Sequence, residues 1–320
     1  MDTEKQQKKV PDGLAGLRLD QALAEMFPEY SRSRLKAWLL DGSVLVDGEK
    51  RRPKDRVDGG EAVELNAVAE VVVRSKPERM VLDIAFEDEE LLVINKPAGL
   101  VVHPGAGNPK GTLMNGLLHH APTLEKLPRA GIIHRLDKDT TGLMLVGKTL
   151  PAHTALVRAL ADRHISRHYL AVCIGVLTGG GSIKEPIARH PVDRTKMSIR
   201  EGGRPAVTHF TVRERFRAHT LVDVKLETGR THQIRVHFAH RRHALAGDAT
   251  YGGRLALPAG ATPGLIEALR RFKRQALHAA RLILPHPTSG AELDVEAALP
   301  DDLAALIAVL RDDSDDNNEH

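Results

Sequence analysis

The sequence predicts an α+β fold in two parts. Two short amphipathic helix patterns followed by a small hairpin occupy the N-terminal region, and a charged loop lies between apolar β-forming runs at residues 131–148. Beyond it, short strand and helix patterns mix irregularly to residue 300, without the regular strand–helix alternation of a parallel sheet. At 320 residues the chain is long enough for one substantial core and a small accessory domain.

Taken in order, residues 1–13 read as a polar, disordered leader. From Leu17, the residues Leu19, Leu23, Met26 and Phe27 recur three and four apart, the spacing of one helix face. Ser31 or Ser33 can cap a second helix with Leu35, Trp38 and Leu39 inward and Arg32, Arg34 and Lys36 on its other face. Val44–Val46, the turn Asp47-Gly48, a basic loop carrying Arg51 and Arg52, and Ala62–Leu65 read as strand, turn, strand. A first domain is therefore expected over 14–66, a linker over 67–80, a second domain over 81–311 and a disordered acidic tail over 312–320. In the second domain, Ile84–Pro104 reads as two buried strands around the turn Asn95-Lys-Pro-Ala-Gly99, and Thr112–His120 as a helix. Leu221–Leu226 alternates like a strand, Thr231 can cap a helix with Ile234 and Phe238 inward, and Asp301–Arg311 closes the fold as an amphipathic helix.

Composition narrows the function classes. A hydrophobic fraction of 42% with 28% charged residues is ordinary for a globular protein, and 3% aromatics argue against a surface of stacked aromatic platforms. The single Cys173 excludes a disulfide framework and a multi-cysteine zinc site, and its alternating apolar context reads as a buried small hydrophobe. No apolar run approaches the roughly 20 residues that span a bilayer, and the N-terminus lacks the apolar region of a signal peptide, so a cytoplasmic protein is expected. The net charge is only +4, yet residues 31–56 hold eight Lys or Arg against four acids, which suits docking to nucleic acid.

The chemistry concentrates in three places. In Gly131–Lys148, Ile132–Ile133 and Leu143–Val146 flank a block with His134, Arg135, Asp137 and Asp139. Extended backbone points Arg135 and Asp137 the same way, and an Arg beside a carboxylate favours its ionised form. Asp139 is a rival carboxylate on the same side. In Glu227–His237, Arg230 falls at a strand-to-helix corner, where main-chain N–H groups favour anions. Tyr169 opens an apolar strand pattern and could stack on a base while placing its hydroxyl in a pocket. The run His232, His237, His240, His243 lacks an evident further ligand type and reads as RNA-contacting or surface histidines, so no metal is expected. No Gly-x-Gly-x-x-Gly after a strand, phosphate-binding loop or His-Glu-x-x-His occurs, and no cofactor is expected.

The block His134-Arg-Leu-Asp137 resembles the motif of the large-subunit branch of RNA pseudouridine synthases. Asn95-Lys-Pro-Ala-Gly99 and Thr228-Gly-Arg-Thr-His-Gln233 resemble the family's accompanying segments, and residues 17–66 resemble the S4-type RNA-binding module. The resemblance implies a mixed, largely antiparallel sheet with flanking helices in the second domain. It implies isomerisation of uridine to pseudouridine without cofactor, in large-subunit ribosomal RNA at the helix 69 stem-loop; a monomer is expected. It also implies Asp137 as the essential carboxylate, Arg230 as its ion-pair partner and Tyr169 against the target base. Asp139 would then stabilise the loop. Arg135, with His134, would contact RNA and fill the gap left by a flipped uridine. Two other readings remain: a non-catalytic RNA-binding assembly factor, and an N-glycoside hydrolase pairing Asp137 with Asp139 or Asp248.

Overall fold

The computed structural model describes residues 3–28, 30, 32–68, 76–105 and 107–316, which fall into two compact units, Met1–Arg74 and Ser75–His320. The first unit contains β1 (Thr3–Lys9), α1 (Leu19–Met26), α2 (Arg32–Asp41), β2 (Val44–Val46) and β3 (Ala62–Val68). Its antiparallel sheet has the order β1-β3-β2. The helices bury Leu19, Leu23, Phe27, Leu35, Trp38 and Leu39 against Val44, Val46, Val63 and Leu65, the faces that the spacing predicted. The leader is a correction. It forms β1, paired with β3 from Thr3 opposite Val68 to Lys9 opposite Ala62. A polar segment gives no burial signal, but main-chain bonding to β3 and the Lys8 ammonium, 2.7 Å from the Met26 carbonyl and 4.4 Å above the Phe27 ring, hold it. Ser31, one of the two candidate caps, lies outside the described residues, as do the side chains of Arg32 and Arg34.

The expected linker is also shorter than its composition suggests. β3 runs through Val68, and residues 69–75 lie outside the described set. From Lys76 onward the chain is docked: Asn115 Nδ2 donates to the Lys76 carbonyl at 2.8 Å and the Glu78 amide to the Asn115 carbonyl at 3.0 Å.

The second unit opens with β4 (Ile84–Glu87), β5 (Leu91–Lys96), α3 (Leu113–His120), β6 (Thr141–Gly147), α4 (Leu150–Ala161) and β7 (Ser166–Ile174). It continues through β8 (Gly181–Ile183), β9 (Ile187–Arg189), β10 (Met197–Ile199), β11 (Thr208–Arg215) and β12 (His219–Leu226). It closes with α5 (Gln233–His240), α6 (Pro263–Arg271), β13 (Leu277–Pro285), β14 (Glu292–Glu296) and α7 (Asp301–Asp316). Nine strands form one sheet in the order β4-β5-β6-β13-β7-β12-β11-β8, with β14 on β13. All its pairs are antiparallel except β6 with β13. The fold is α+β with a mixed, largely antiparallel sheet.

Alternation along the central strands sorts two cores. Tyr169, Ala171 and Cys173 of β7 face one core with Leu136, Ile234 and Phe238, while Leu170 and Val172 face another with Leu265, Leu269, Leu303 and Leu306. Burial pushes the Cys173 thiol up to about 12, as befits an inert core residue. Of the two strands expected around the Asn95–Gly99 turn, the one before it forms as β5, whereas residues 100–104 form none and only Val102 is buried there. Thr112 caps α3 through a reciprocal bond with Asn115. The acidic tail is a second correction. α7 continues to Asp316, and Asp313, 2% exposed, accepts from Arg217 Nε at 2.9 Å and from the Thr262 amide at 2.8 Å. Its charge is satisfied by partners distant in sequence, which composition does not show.

Candidate active site

The loop between Ile133 and β6 is built around Leu136. That side chain is 5% exposed in the core of Tyr169 and Ile234, so its neighbours Arg135 and Asp137 are turned away from the core. The loop backbone is pinned from three directions. Lys96 Nζ donates to the Lys138 carbonyl at 2.8 Å, Gln275 Nε2 to Thr140 Oγ1 at 2.9 Å, and Arg274 Nη1 to the Asp139 carbonyl at 3.4 Å. Lys96 is fully buried and also donates to the Pro97 and Leu100 carbonyls, so all three of its protons are used. Burial lowers its ammonium to about 8, against the opposing fields of Asp139 and Asp137. Arg274 is itself held by a bidentate pair with Asp302 at 2.6 and 2.8 Å.

Asp137 keeps 16% of its side chain exposed, and its Oδ2 lies 2.9 Å from Arg235 Nη1. The same guanidinium grips Asp248, Nε to Oδ2 at 2.7 Å and Nη2 to Oδ1 at 2.8 Å. The Asp248 side chain is fully buried, and its Oδ1 also accepts from the Thr250 and Tyr251 amides. Burial opposes the charge of Arg235, but hydrogen bonds to Asp248 and the fields of both carboxylates raise its pKa. A planar fork between two carboxylates fixes Asp137 in one orientation, which a point-charge ammonium could not do. The other oxygen, Oδ1, faces His232 Nε2 at 3.8 Å.

Arg230, expected as the partner of Asp137, is placed elsewhere. Its Nε donates to the Pro205 carbonyl at 3.0 Å, and its amide to Gln233 Oε1. The cause lies at the start of α5, where His232 adopts a left-handed conformation with φ 56° and ends the preceding turn. Thr231 is therefore not the cap, and the residue that faces Asp137 sits one helical turn further on. Arg235 was legible in principle: a charged residue between Ile234 and Val236, both buried, requires a buried partner. Tyr251, in the turn Gly247–Gly253, carries no signal of its own in the sequence, and Asp248 enters there only as a possible second carboxylate.

The remaining candidates divide. Tyr169, in β7, is 6% exposed; burial raises its phenol, and the field of Asp137 adds to that. Arg135 is exposed and makes no ion pair among the described residues, while its charge is felt by His103 and His232. His134 is tied into the fold: its Nε2 accepts from the Leu145 amide of β6 at 3.2 Å, and burial lowers the imidazole to about 3. A neutral ring bound to main chain helps to hold the loop against β6. The Asp139 carboxylate meets neither Arg235 nor His232. His237 is fully buried between Thr208 Oγ1 and the Glu185 carbonyl, and His243 Nδ1 meets the Ile174 carbonyl, so both have structural partners. In the first unit Lys36 and Arg52 are exposed, whereas Arg51 lies 3.5 Å from Glu61. Among the described residues, no helix is long and apolar enough to cross a membrane.

Comparison with known proteins places the chain in a family. The family model described as RNA pseudouridylate synthase matches residues 90–240, and the S4 domain model matches residues 17–63. The chain is 54% identical over 314 residues to ribosomal large subunit pseudouridine synthase D of Xanthomonas campestris, covering 98% of this chain and 95% of that one. It is 55% identical over 311 residues to the protein of the same name from Escherichia coli, covering 97% and 95%. Among solved structures, human RNA pseudouridylate synthase domain containing 4 superposes with a TM-score of 0.57 at 27% identity, covering 72% of this chain and 93% of that one. The segments that carry Asp137, Tyr169 and Arg235 lie inside the matched family region, and the chain belongs to the RNA pseudouridine synthases of the large-subunit type with an N-terminal S4 domain.

Proposed function

We propose that this enzyme isomerises uridine to pseudouridine in large-subunit ribosomal RNA, with the helix 69 stem-loop as its target and Asp137 as the reacting carboxylate. The observation that carries the reading is a partly exposed carboxylate with one oxygen bound to a buried Arg and the other open. The names of relatives more than half identical over nearly the whole chain support the ribosomal substrate.

The reaction breaks the bond from uracil N1 to the ribose anomeric carbon, turns the base, and joins C5 to the same carbon while the C5 proton passes to solvent and N1 takes one up. No atom is gained or lost overall. The departing uracil is a stabilised anion that stays in the pocket, so one carboxylate suffices, either bonding the anomeric carbon or taking a ribose proton. Arg235 holds that carboxylate in place. Tyr169, whose phenol feels the field of Asp137, lies against the base and serves its proton transfer. Arg135, exposed on the same loop, fills the stack vacated by the flipped uridine with its guanidinium plane. The exposed Lys36 and Arg52 suit phosphate contacts from the S4 unit. Asp248 is locked on Arg235, which disfavours its use as the second carboxylate of a hydrolase.

The test is to incubate wild-type and Asp137→Ala protein with unmodified large-subunit ribosomal RNA and map pseudouridine by carbodiimide-dependent reverse-transcription stops. New stops in helix 69 with wild type alone are expected; no stops, or equal stops with the variant, reject the proposal. Replacing Lys36 and Arg52 by Gln should flatten the salt dependence of RNA binding by roughly one unit of slope for each phosphate no longer neutralised. An unchanged slope removes the S4 unit from the phosphate-binding surface.

A further inference from the structure

We infer that His232, oriented by the Tyr251 hydroxyl, is a positioning residue that presents an N–H to the open oxygen of Asp137. The inference rests on the reading of Asp137 as the reacting carboxylate.

Asp137 Oδ2 is occupied by Arg235, whereas among the described residues Oδ1 has only His232 Nε2 before it, at 3.8 Å. That separation is beyond a hydrogen bond, and gaps of this kind close when substrate excludes water from a site. The far side of the ring is already fixed. His232 Nδ1 lies 2.7 Å from Tyr251 Oη, and that oxygen accepts from the Met197 amide at 2.9 Å. A phenol has one proton to give, and with the main-chain donor in place it gives that proton to Nδ1. Nδ1 is then the acceptor, and the neutral ring carries its own proton on Nε2, directed at Asp137. Burial lowers the imidazole below its usual range; Asp137 and Asp248 favour its charged form, and Arg235 and Arg135 oppose it.

The backbone supplies an independent argument. His232 has φ 56° and ψ 22°, a conformation costly for a residue with a side chain, and it contributes no side-chain cap to α5. Glycine would hold this corner with less strain, so the helix does not account for a histidine here. The ring meets Tyr251 edge-on at 5.7 Å, and the Arg235 guanidinium lies 5.0 Å over the same tyrosine ring. Both groups that face Asp137 thus lean on one aromatic side chain, whose hydroxyl is tied to β10.

The experiment measures single-turnover release of tritium from uridine C5 in unmodified large-subunit ribosomal RNA, alongside RNA affinity and melting temperature, with full-length protein. His232→Gly should keep its melting temperature and bind RNA within about twofold, yet react roughly 10- to 100-fold more slowly, as for loss of one preorganised donor. His232→Gln, whose amide can reach the same oxygen, should recover part of the rate. Tyr251→Phe should slow the wild type by about 3- to 10-fold and add nothing in the His232→Gly background, the signature of one coupled device. A wild-type rate in His232→Gly, additive losses, or a rate loss matched by a fall in melting temperature would overturn the inference. Release by wild type but not by Asp137→Ala shows that the parent reading stands in each of those cases. Its absence in wild type, or its persistence in Asp137→Ala, overturns both.

Discussion

Replacing Arg235 with lysine separates charge from geometry at this site. The guanidinium makes three bonds, at 2.7 and 2.8 Å to Asp248 and 2.9 Å to Asp137. An ammonium on a shorter stem can serve one of the two carboxylates. Charge-assisted bonds contribute about 1.5–3 kcal/mol each, and a buried carboxylate stripped of its partner costs about 3–5 kcal/mol. Asp248 keeps the Thr250 and Tyr251 amides, which offsets part of that loss. Arg235→Lys is therefore expected to lose about 2–4 kcal/mol of stability and more than tenfold in single-turnover rate. Urea unfolding followed by circular dichroism reads the stability, and the fluorescence of Trp38, the sole tryptophan and a core residue of the first unit, supplies a reference transition. The paired variant Arg235→Met with Asp248→Asn removes the buried charges together; it should regain most of the stability and none of the rate, because Asp137 is left without its cation. Full rate and stability in Arg235→Lys, or a recovered rate in the paired variant, would refute the reasoning. Arg230→Lys, which disturbs only a bond to the Pro205 carbonyl, should cost less than about 1 kcal/mol in the same assay.

Three further perturbations test the frame around the site. Gly142 has φ +108°, and a Cβ there would lie 2.2 Å from the Ala279 carbonyl oxygen, so Gly142→Ala should lower the melting temperature by several degrees by forcing β6 and β13 apart. His219 is 3% exposed and burial lowers its imidazole to about 4, so between pH 6.5 and 4 the unfolded chain takes a proton that the native chain refuses. The stability it contributes is complete above pH 6.5 and is lost on acidification toward pH 4, about 3 kcal/mol in all; urea midpoints across that range should flatten in His219→Gln, and an unchanged slope would remove His219 from the account. Asp313→Ala leaves the Thr262 amide without its acceptor and Arg217 with only the Ala259 carbonyl among the described residues, and should cost about 1–3 kcal/mol, whereas a solvated tail would make it neutral by calorimetry.

The parts that were legible in the chain rest on short-range repetition. Leu19, Leu23 and Phe27, or Leu35, Trp38 and Leu39, declare a helix face because the turn that brings them together is local. The His134–Asp137 loop was legible for a similar reason, as polar residues between two apolar runs. Within it the directions were not. The His134 ring receives the Leu145 amide, because the neighbouring strand offers an N–H that the residue pattern does not show. β1 and the end of α7 carry no apolar pattern at all. They are ordered by an open strand edge and by a cation almost a hundred positions away in sequence.

Sequence by itself determined the fold class and the S4-like module, and it singled out the loop that carries Asp137. Which arginine meets that carboxylate was decided only in three dimensions. Arg230 and Arg235 are five positions apart in one motif, and both are chemically competent. A left-handed residue at 232 turns the first toward Pro205 and carries the second, on α5, to an aspartate 98 residues earlier in the chain. Backbone direction at one corner, set by packing of the helix on the sheet, made the choice that residue type could not.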